Sequence, residues 1–328
     1  MAITLAEAKV GMADKVVQQV IDTFRRESLL LDLLTFDDTV SPGTGGSTLV
    51  YGYQQLKTPS TAGFRSINEE YTANEAKREK KTATLKIFGG SYSVDRVIQQ
   101  SSGAIDEMSF QLEQKIIGAK NLFHYTVING DAAVDAESFD GLDVMLTGAS
   151  TEYNASGAAI DLSTSVKLDD NYKAFLDELD LWLATLDGKP DQIEGNSKMI
   201  AKIAAVARRS GYFSQTEDAF GKKVDMYNGI PLVDLGQFYN GTTTIDCVGT
   251  YSATIESATV TGLTDLYAVK FGLDAFHGAS LAGGSPINNY LPDMTKPGAV
   301  KTGDVEMVAA VVLKNSRKAG VFRRIKVA

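Results

Sequence analysis

The segment from Gly103 to Ile128 constrains this chain most. Ile105, Met108, Leu112, Ile116, Ala119, Phe123 and Val127 follow one another at spacings of three and four. An apolar stripe of that period specifies one amphipathic helix. About 25 residues at 1.5 Å each make a rod of roughly 38 Å, long for a globular domain. The reading is a backbone helix laid across a sheet. Asp106 and Glu107 fall in its first turn, where carboxylates complement the helix dipole. Asn129-Gly130 is predicted to stop it with a left-handed cap.

The helix runs into NGDAAVDAESFDGL (129–142), which carries three aspartates and a glutamate. As a calcium loop it fails: Asp131 is followed two residues on by Ala133, and the sixth position lacks glycine. As a carboxylate pair for general acid–base work it lacks the usual company of His or Lys. A turn and connector is the favoured reading, with the acid–base pair left open.

Upstream, Met12, Val16, Val20 and Phe24 continue toward the apolar SLLLDLLTF (28–36), a helix predicted over Met12 to Leu34. SPGTGGST (41–48) then breaks the chain. Residues 1–47 read as an arm on a flexible joint, with little of its own to pack on. STLVYGYQQL and TATLKIFGGSYSVDR alternate like strands and are predicted to form a long projecting hairpin. The polar, charged stretch between them is read as its solvated tip; its acids offset its bases, against a nucleic-acid patch. Two-stranded ribbons are marginal alone in water, so arm and hairpin both call for a partner surface. Residues 171–236 read as a small α/β lobe: a helix with Phe175, Leu179 and Trp182 on one face, a strand at PDQIEGN, a helix at SKMIAKIAAVARRSG and a hairpin turning at Asn228-Gly229. The Thr/Ser-rich residues 241–261 suit exposed strand or loop, and DLYAVKFGLDAF and the last 25 residues alternate like buried strands.

Composition narrows the functional classes. The 328 residues exceed what one core usually organises. A net charge of −9 argues against gripping nucleic acid through its phosphates. The lone Cys247 suits a reducing compartment, and no stretch reads as a signal peptide or a membrane span. The expectation is a soluble protein, cytosolic when made. His124 is expected to be a satisfied structural histidine. No HExxH, CxxC, phosphate loop or GxSxG elbow occurs, so no catalytic residue, cofactor or metal ligand is assigned and no enzyme is expected.

The order of these parts resembles the major capsid proteins of tailed bacteriophages, of the Hong Kong 97-type fold shared with encapsulins. VIDTFRRESLLLDLLTFDD (20–38) resembles the arm of that family, residues 47–96 its extended loop (E-loop), and helix 103–128 with "NGD…FDGL" its spine helix and connector. NYKAFLDELDLWLATLDGKPDQIEGN with NGIPLV resembles the axial lobe, and DLYAVKFG with GVFRRIKV the closing strands. The resemblance implies an α+β fold divided into an arm (1–47), an E-loop (48–92), a peripheral domain (93–165 and about 285–318) and an axial domain (166–284 and about 319–328).

It also implies a structural subunit assembling as hexamers and pentamers into an icosahedral head around double-stranded DNA, which it would hold without sequence-specific binding. The implied partners are a portal protein, a possible decoration protein and, because no cleavable pro-segment precedes the arm, a separate scaffolding protein. Assembly in the bacterial host cytoplasm and residence in the virion follow, with no membrane partner. Inter-subunit contacts are expected at Phe24, Leu30, Leu33, Leu34, Glu69, Glu70, Lys77, Arg78, Lys80 and Lys81, and hinges at Gly43, Gly45, Gly46, Gly89 and Gly90. No cross-link is assigned: Lys57 and Lys77 have no acid or Asn partner that the sequence places. The rival readings are an encapsulin-type compartment and a soluble β-rich enzyme or binding protein.

Overall fold

The computed structural model describes residues 30–39, 47–101, 106–211, 214–217, 223–281 and 287–328. Phe24 with most of the predicted arm helix, the joint glycines Gly43, Gly45 and Gly46, and Gly103 to Ile105 lie outside the described residues. A short helix α1 (Leu30–Leu33) and strand β1 (Phe36–Asp38) lead to a ribbon of β2 (Val50–Thr58) and β3 (Lys77–Thr84). β4 (Lys86–Asp95) and α2 (Arg96–Ser101) precede the long α3 (Glu107–Asn129), α4 (Leu142–Leu146), β5 (Glu152–Tyr153) and β6 (Ile160–Asp161). Then come α5 (Ser165–Ala184), β7 (Gln192–Gly195), α6 (Ser197–Ser210), β8 (Ser214–Glu217), β9 (Lys223–Tyr227) and β10 (Ile230–Asp234). The remainder is β11 (Gln237–Tyr239), β12 (Thr244–Asp246), β13 (Tyr251–Ile255), β14 (Ala258–Val269), β15 (Phe276–Ser280), β16 (Ile287–Tyr290), β17 (Val300–Leu313) and β18 (Ala319–Lys326).

Two sheets organise the molecule. The first has the order β1-β15-β17-β16, with β4 paired to β17 from Lys86↔Ala309 to Asp95↔Val300. The predicted stripe of α3 lies on it: Met108, Leu112 and Ile116 pack with Tyr92, Val94 and Val305. Further along, the Phe123 ring meets those of Phe88 at 6.0 Å, Phe139 at 5.8 Å and Phe36 at 6.2 Å.

Both ends of α3 differ from the sequence expectation. Asp106 stands outside the first turn as the N-cap, accepting from Met108 N at 3.2 Å and from Ser109 Oγ at 2.7 Å. Gly130 is extended (φ −62°, ψ 137°), not left-handed. What requires glycine there is space, because a Cβ would lie 2.2 Å from Phe139 O where the connector folds back. His124 is buried as expected, yet neither ring nitrogen has a hydrogen-bond partner, so it is not a satisfied histidine. Burial first and the Lys120 charge second lower it to about 4, which keeps the ring neutral.

The second sheet runs β5-β18-β14-β7-β10-β9-β8, with β13 added to β14 and β6 to β18. Alternation along its central strands sends side chains into two cores. Leu266, Ala268, Ile193 and Phe322 join Trp182, Phe175 and Leu179 of α5 and Met199 and Ile203 of α6. Tyr267, Val269, Ala319 and Val321 face the other way, into the core that holds Phe123, Leu142 and Phe276. The lobe predicted at 171–236 is present with its elements in the expected order, and Asn228 and Gly229 make its hairpin turn at positive φ. Across the junction of the cores, Arg323 of β18 donates to Asp143 of α4 at 2.6 Å, to Asp265 of β14 at 3.1 Å and to Glu152.

Trp182 is fully buried against Phe322, with ring centroids 5.7 Å apart. Truncating it leaves a cavity that the paired strand beneath cannot fill. Trp182→Ala is expected to cost about 3–5 kcal/mol in chemical unfolding of the isolated chain. An unchanged denaturation midpoint would contradict that placement.

Candidate assembly surface

Among the described residues, the ribbon of β2 and β3 is tied down at its root. Tyr51 donates to Asp37 Oδ2 at 2.5 Å, joining the ribbon to β1. The Lys314 ammonium stands 5.3 Å from the Tyr51 ring centroid and 4.0 Å from Asp37. His277 approaches the Tyr51 ring edge-on, with its Nε2 3.4 Å from the hydroxyl. Burial first, and then Asp37, push the Tyr51 phenol well up, so it remains a donor at any ordinary pH. Burial and the Lys314 charge take His277 down to about 4, so the knot holds one neutral ring, one acid and one cation. One step outward, Tyr53 donates to Leu313 O at 3.3 Å and Gln55 to Lys314 O at 3.0 Å. On the facing side, Lys86 Nζ donates to Ala136 O of the connector at 2.5 Å.

Beyond Gln55 the ribbon leaves its own subunit. β2 and β3 pair from Val50↔Thr84 to Leu56↔Arg78 and, past a bulge, Thr58↔Lys77. Thus KREKKTAT is the second strand of the hairpin. Lys77, Arg78, Lys80 and Lys81, expected at its tip, sit along the strand. β3, largely exposed along its length, has no apolar alternation to reveal it. TATLKIFGGSYSVDR, read as that strand, instead turns at the buried Leu85 and continues as β4 into the first sheet.

Residues 59–76 form the tip. Asn74 closes its neck by donating to Thr61 O at 3.1 Å and Thr61 Oγ1 at 2.7 Å, and by accepting from Thr61 N at 2.8 Å. Arg65 lies over the Tyr71 ring at 5.5 Å. Phe64 and Ile67 are 109% and 89% exposed. Covering one large apolar side chain is worth roughly 1.5–3 kcal/mol, and nothing among the described residues covers either. These two residues escaped the sequence reading, since each stands alone in a polar stretch with no periodicity. Their only signal is that they are large apolar residues where a loop needs none.

The other expected contact and hinge residues are distributed differently. Glu69 and Glu70 are exposed at the tip. Leu30 and Leu34 are buried in the subunit's own core, so α1 is part of the body rather than a free contact; Leu33 is half exposed. Gly89 and Gly90 are not a joint but lie inside the β4–β17 pairing, where a Cβ on Gly89 would stand 1.9 Å from Val305 O. The connector acids are spent on turns: Asp131 accepts from Ala133 N, Asp135 from Glu137 N and Asp140 from Ala132 N, at 2.8–3.0 Å. Among the described residues no group of three His, Cys, Asp or Glu is arranged to hold a metal ion, and no helix is long and apolar enough to cross a membrane.

No protein-family model matches the chain, and no curated protein sequence does. Solved structures do. The holo-SrpI encapsulin complex of Synechococcus elongatus PCC 7942 aligns with a TM-score of 0.66 at 14% identity, over 100% of this chain and 98% of that one. The capsid of a native GTA particle aligns at 0.55 and 12% over 99% of both chains. The mature capsid of bacteriophage PhiM1 aligns at 0.54 and 12%, over 95% of this chain and 91% of that one. The chain therefore has the mixed α+β Hong Kong 97-type fold along its whole length.

Because Phe64 and Ile67 are almost fully exposed at the tip, replacing both by serine is expected to leave the isolated chain's stability within about 0.5 kcal/mol. A larger loss in a thermal or urea melt would place the tip against the body.

Proposed function

We propose that this chain is a structural shell subunit, the major capsid protein of a tailed bacteriophage, assembling as hexamers and pentamers into a closed icosahedral head around double-stranded DNA. The observation that carries the reading is the ribbon: a clasped tip with two large apolar side chains fully in water, on a fold whose solved examples include capsids. A tile of this kind covers its exposed apolar groups on neighbouring copies. In the same proposal the chain divides into arm, E-loop, peripheral and axial domains, with α1 counted with the body and the E-loop ending at Leu85, because β4 pairs with β17 in the first sheet. A separate scaffolding protein, a portal protein and a possible decoration protein are the proposed partners, the host cytoplasm the place of assembly and the virion the destination. No catalytic role is proposed. The net charge of −9 fits a wall along which packaged DNA stays mobile.

The alignment with the encapsulin, at the higher TM-score of 0.66, favours a second reading, a compartment shell around cargo protein. Expression with and without candidate scaffold, followed by electron microscopy and analysis of contents, tests both. Closed shells holding DNA support the phage reading, shells holding one protein cargo support the compartment, and a monomer under every condition refutes both.

Two variants test the surface. Removing residues 1–28 keeps Leu30 and Leu34 and is expected to leave a folded subunit that no longer closes into shells. Normal shells from that chain would remove the arm from assembly. Reversing Lys77, Arg78, Lys80 and Lys81 to glutamate is expected to leave the subunit's melting temperature nearly unchanged, since exposed pairs contribute at most about 1 kcal/mol. Shells, read by sedimentation, should weaken, and more so at low salt where screening is least. Equal destabilisation of subunit and shell would place β3 within the subunit core.

A further inference from the structure

Glu194 lies within β7, which is bonded to β14 on one side and β10 on the other, and no part of the residue reaches solvent. Ile193 points into the core under α5 and α6, so Gln192 and Glu194 share the opposite face. Gln192 Nε2 donates to Glu194 Oε1. The other oxygen of each group, Glu194 Oε2 and Gln192 Oε1, is buried without a hydrogen-bond partner. Opposite Glu194 on β14 is Tyr267, whose hydroxyl is given to Asp143. Two residues along, Asp265 is held by Tyr251 and Arg323. Opposite on β10 is the apolar Val233. Among the described residues no cation pairs with the Glu194 carboxyl.

We propose that Glu194 is held as the neutral acid in the folded subunit, and that its ionisation is a proton switch that loosens the second sheet as pH rises through neutrality. The donor count carries this. An ionised carboxyl and an amide oxygen both only accept, so ionisation leaves a buried charge beside two acceptors with no donor. A single proton turns Glu194 Oε2 into a donor, and the neighbouring amide holds the free acceptor it needs. The same physics raises the carboxyl to about 7: burial dominates, the Gln192 hydrogen bond offsets it in part, and no charged side chain contributes.

The direction follows from proton binding. Between the ordinary glutamate range and about 7 the folded chain binds this proton and the unfolded chain does not, so stability falls as pH rises across that window. Below the window the penalty is absent; above it the penalty is constant. The unfolding equilibrium should shift on the order of a hundredfold from this one group.

The test compares urea unfolding of the full chain with that of Glu194→Gln, which keeps the neutral shape, at pH values on both sides of the window. The comparison cancels Glu107 and Asp265, which burial also raises. The native chain should lose stability relative to the variant as pH rises, by about the stated factor. Isotope-edited infrared spectra of glutamate-labelled native protein should show a protonated carboxyl band that is lost through neutrality, and in Glu194→Gln this band should be weaker by one carboxyl. Parallel pH profiles would overturn the proposal. So would a native spectrum without that band at mildly acid pH, a reading that stands even if the variant does not fold.

Discussion

Strand β17 is the constraint on which the rest of the structure depends. Its fourteen residues bond to β15 and β16, which precede it, and to β4 from far earlier in the chain, and α3 lies along the face they make. In its first half, buried and exposed residues alternate; from Met307 to Leu313 both faces are covered. A strand buried on both faces cannot slip by one residue without forcing backbone groups and packed side chains apart together. That rigidity gives the ribbon a fixed root. Tyr53 and Gln55 reach to the carbonyls at the very end of β17, and Asp37, Tyr51 and Lys314 meet beside them.

What the sequence reveals of this follows from how many faces each element buries. The stripe on α3 and the Trp182 face of α5 are legible because each helix shows a dominant apolar side. The connector is legible because aspartates spaced for turns fail every ligand pattern. β3 is not legible, since a strand with two wet faces reads as charged loop. Nor is Glu194: in QIEG, a strand buried on both faces, nothing in the pattern separates an inward carboxyl from an outward one. Phe64 and Ile67 fail for a third reason, in that their partner surface is no part of this chain's own core. Gly130 and Gly89 show a related ambiguity, because a glycine needed for close approach looks the same in sequence as one needed for a turn or a joint.

The two cores lie on opposite faces of one sheet, which both therefore share. Arg323 gathers three carboxylates around a single guanidinium at their junction. Removing Arg323 would leave the largely buried Glu152 and Asp265 without their cation, which is far more costly than losing any pair on the exposed ribbon. Strength is concentrated in the two sheets and their cores, and the ribbon that reaches outward is held by a few hydrogen bonds at its root.

One strand pairing also sets an order of events during synthesis. β1 lies parallel to β15, with Phe36 opposite Gly278 and Thr39 bonded to Ser280, 241 residues later. While the chain grows from its N-terminus, the seat for residues 36–39 does not yet exist. Contacts so remote in sequence form late. The root that aims the ribbon, through Asp37 and Tyr51, is completed only when nearly the whole polypeptide has left the ribosome. A half-made subunit therefore cannot present its ribbon in the finished direction, and translation itself delays the surface through which copies would meet.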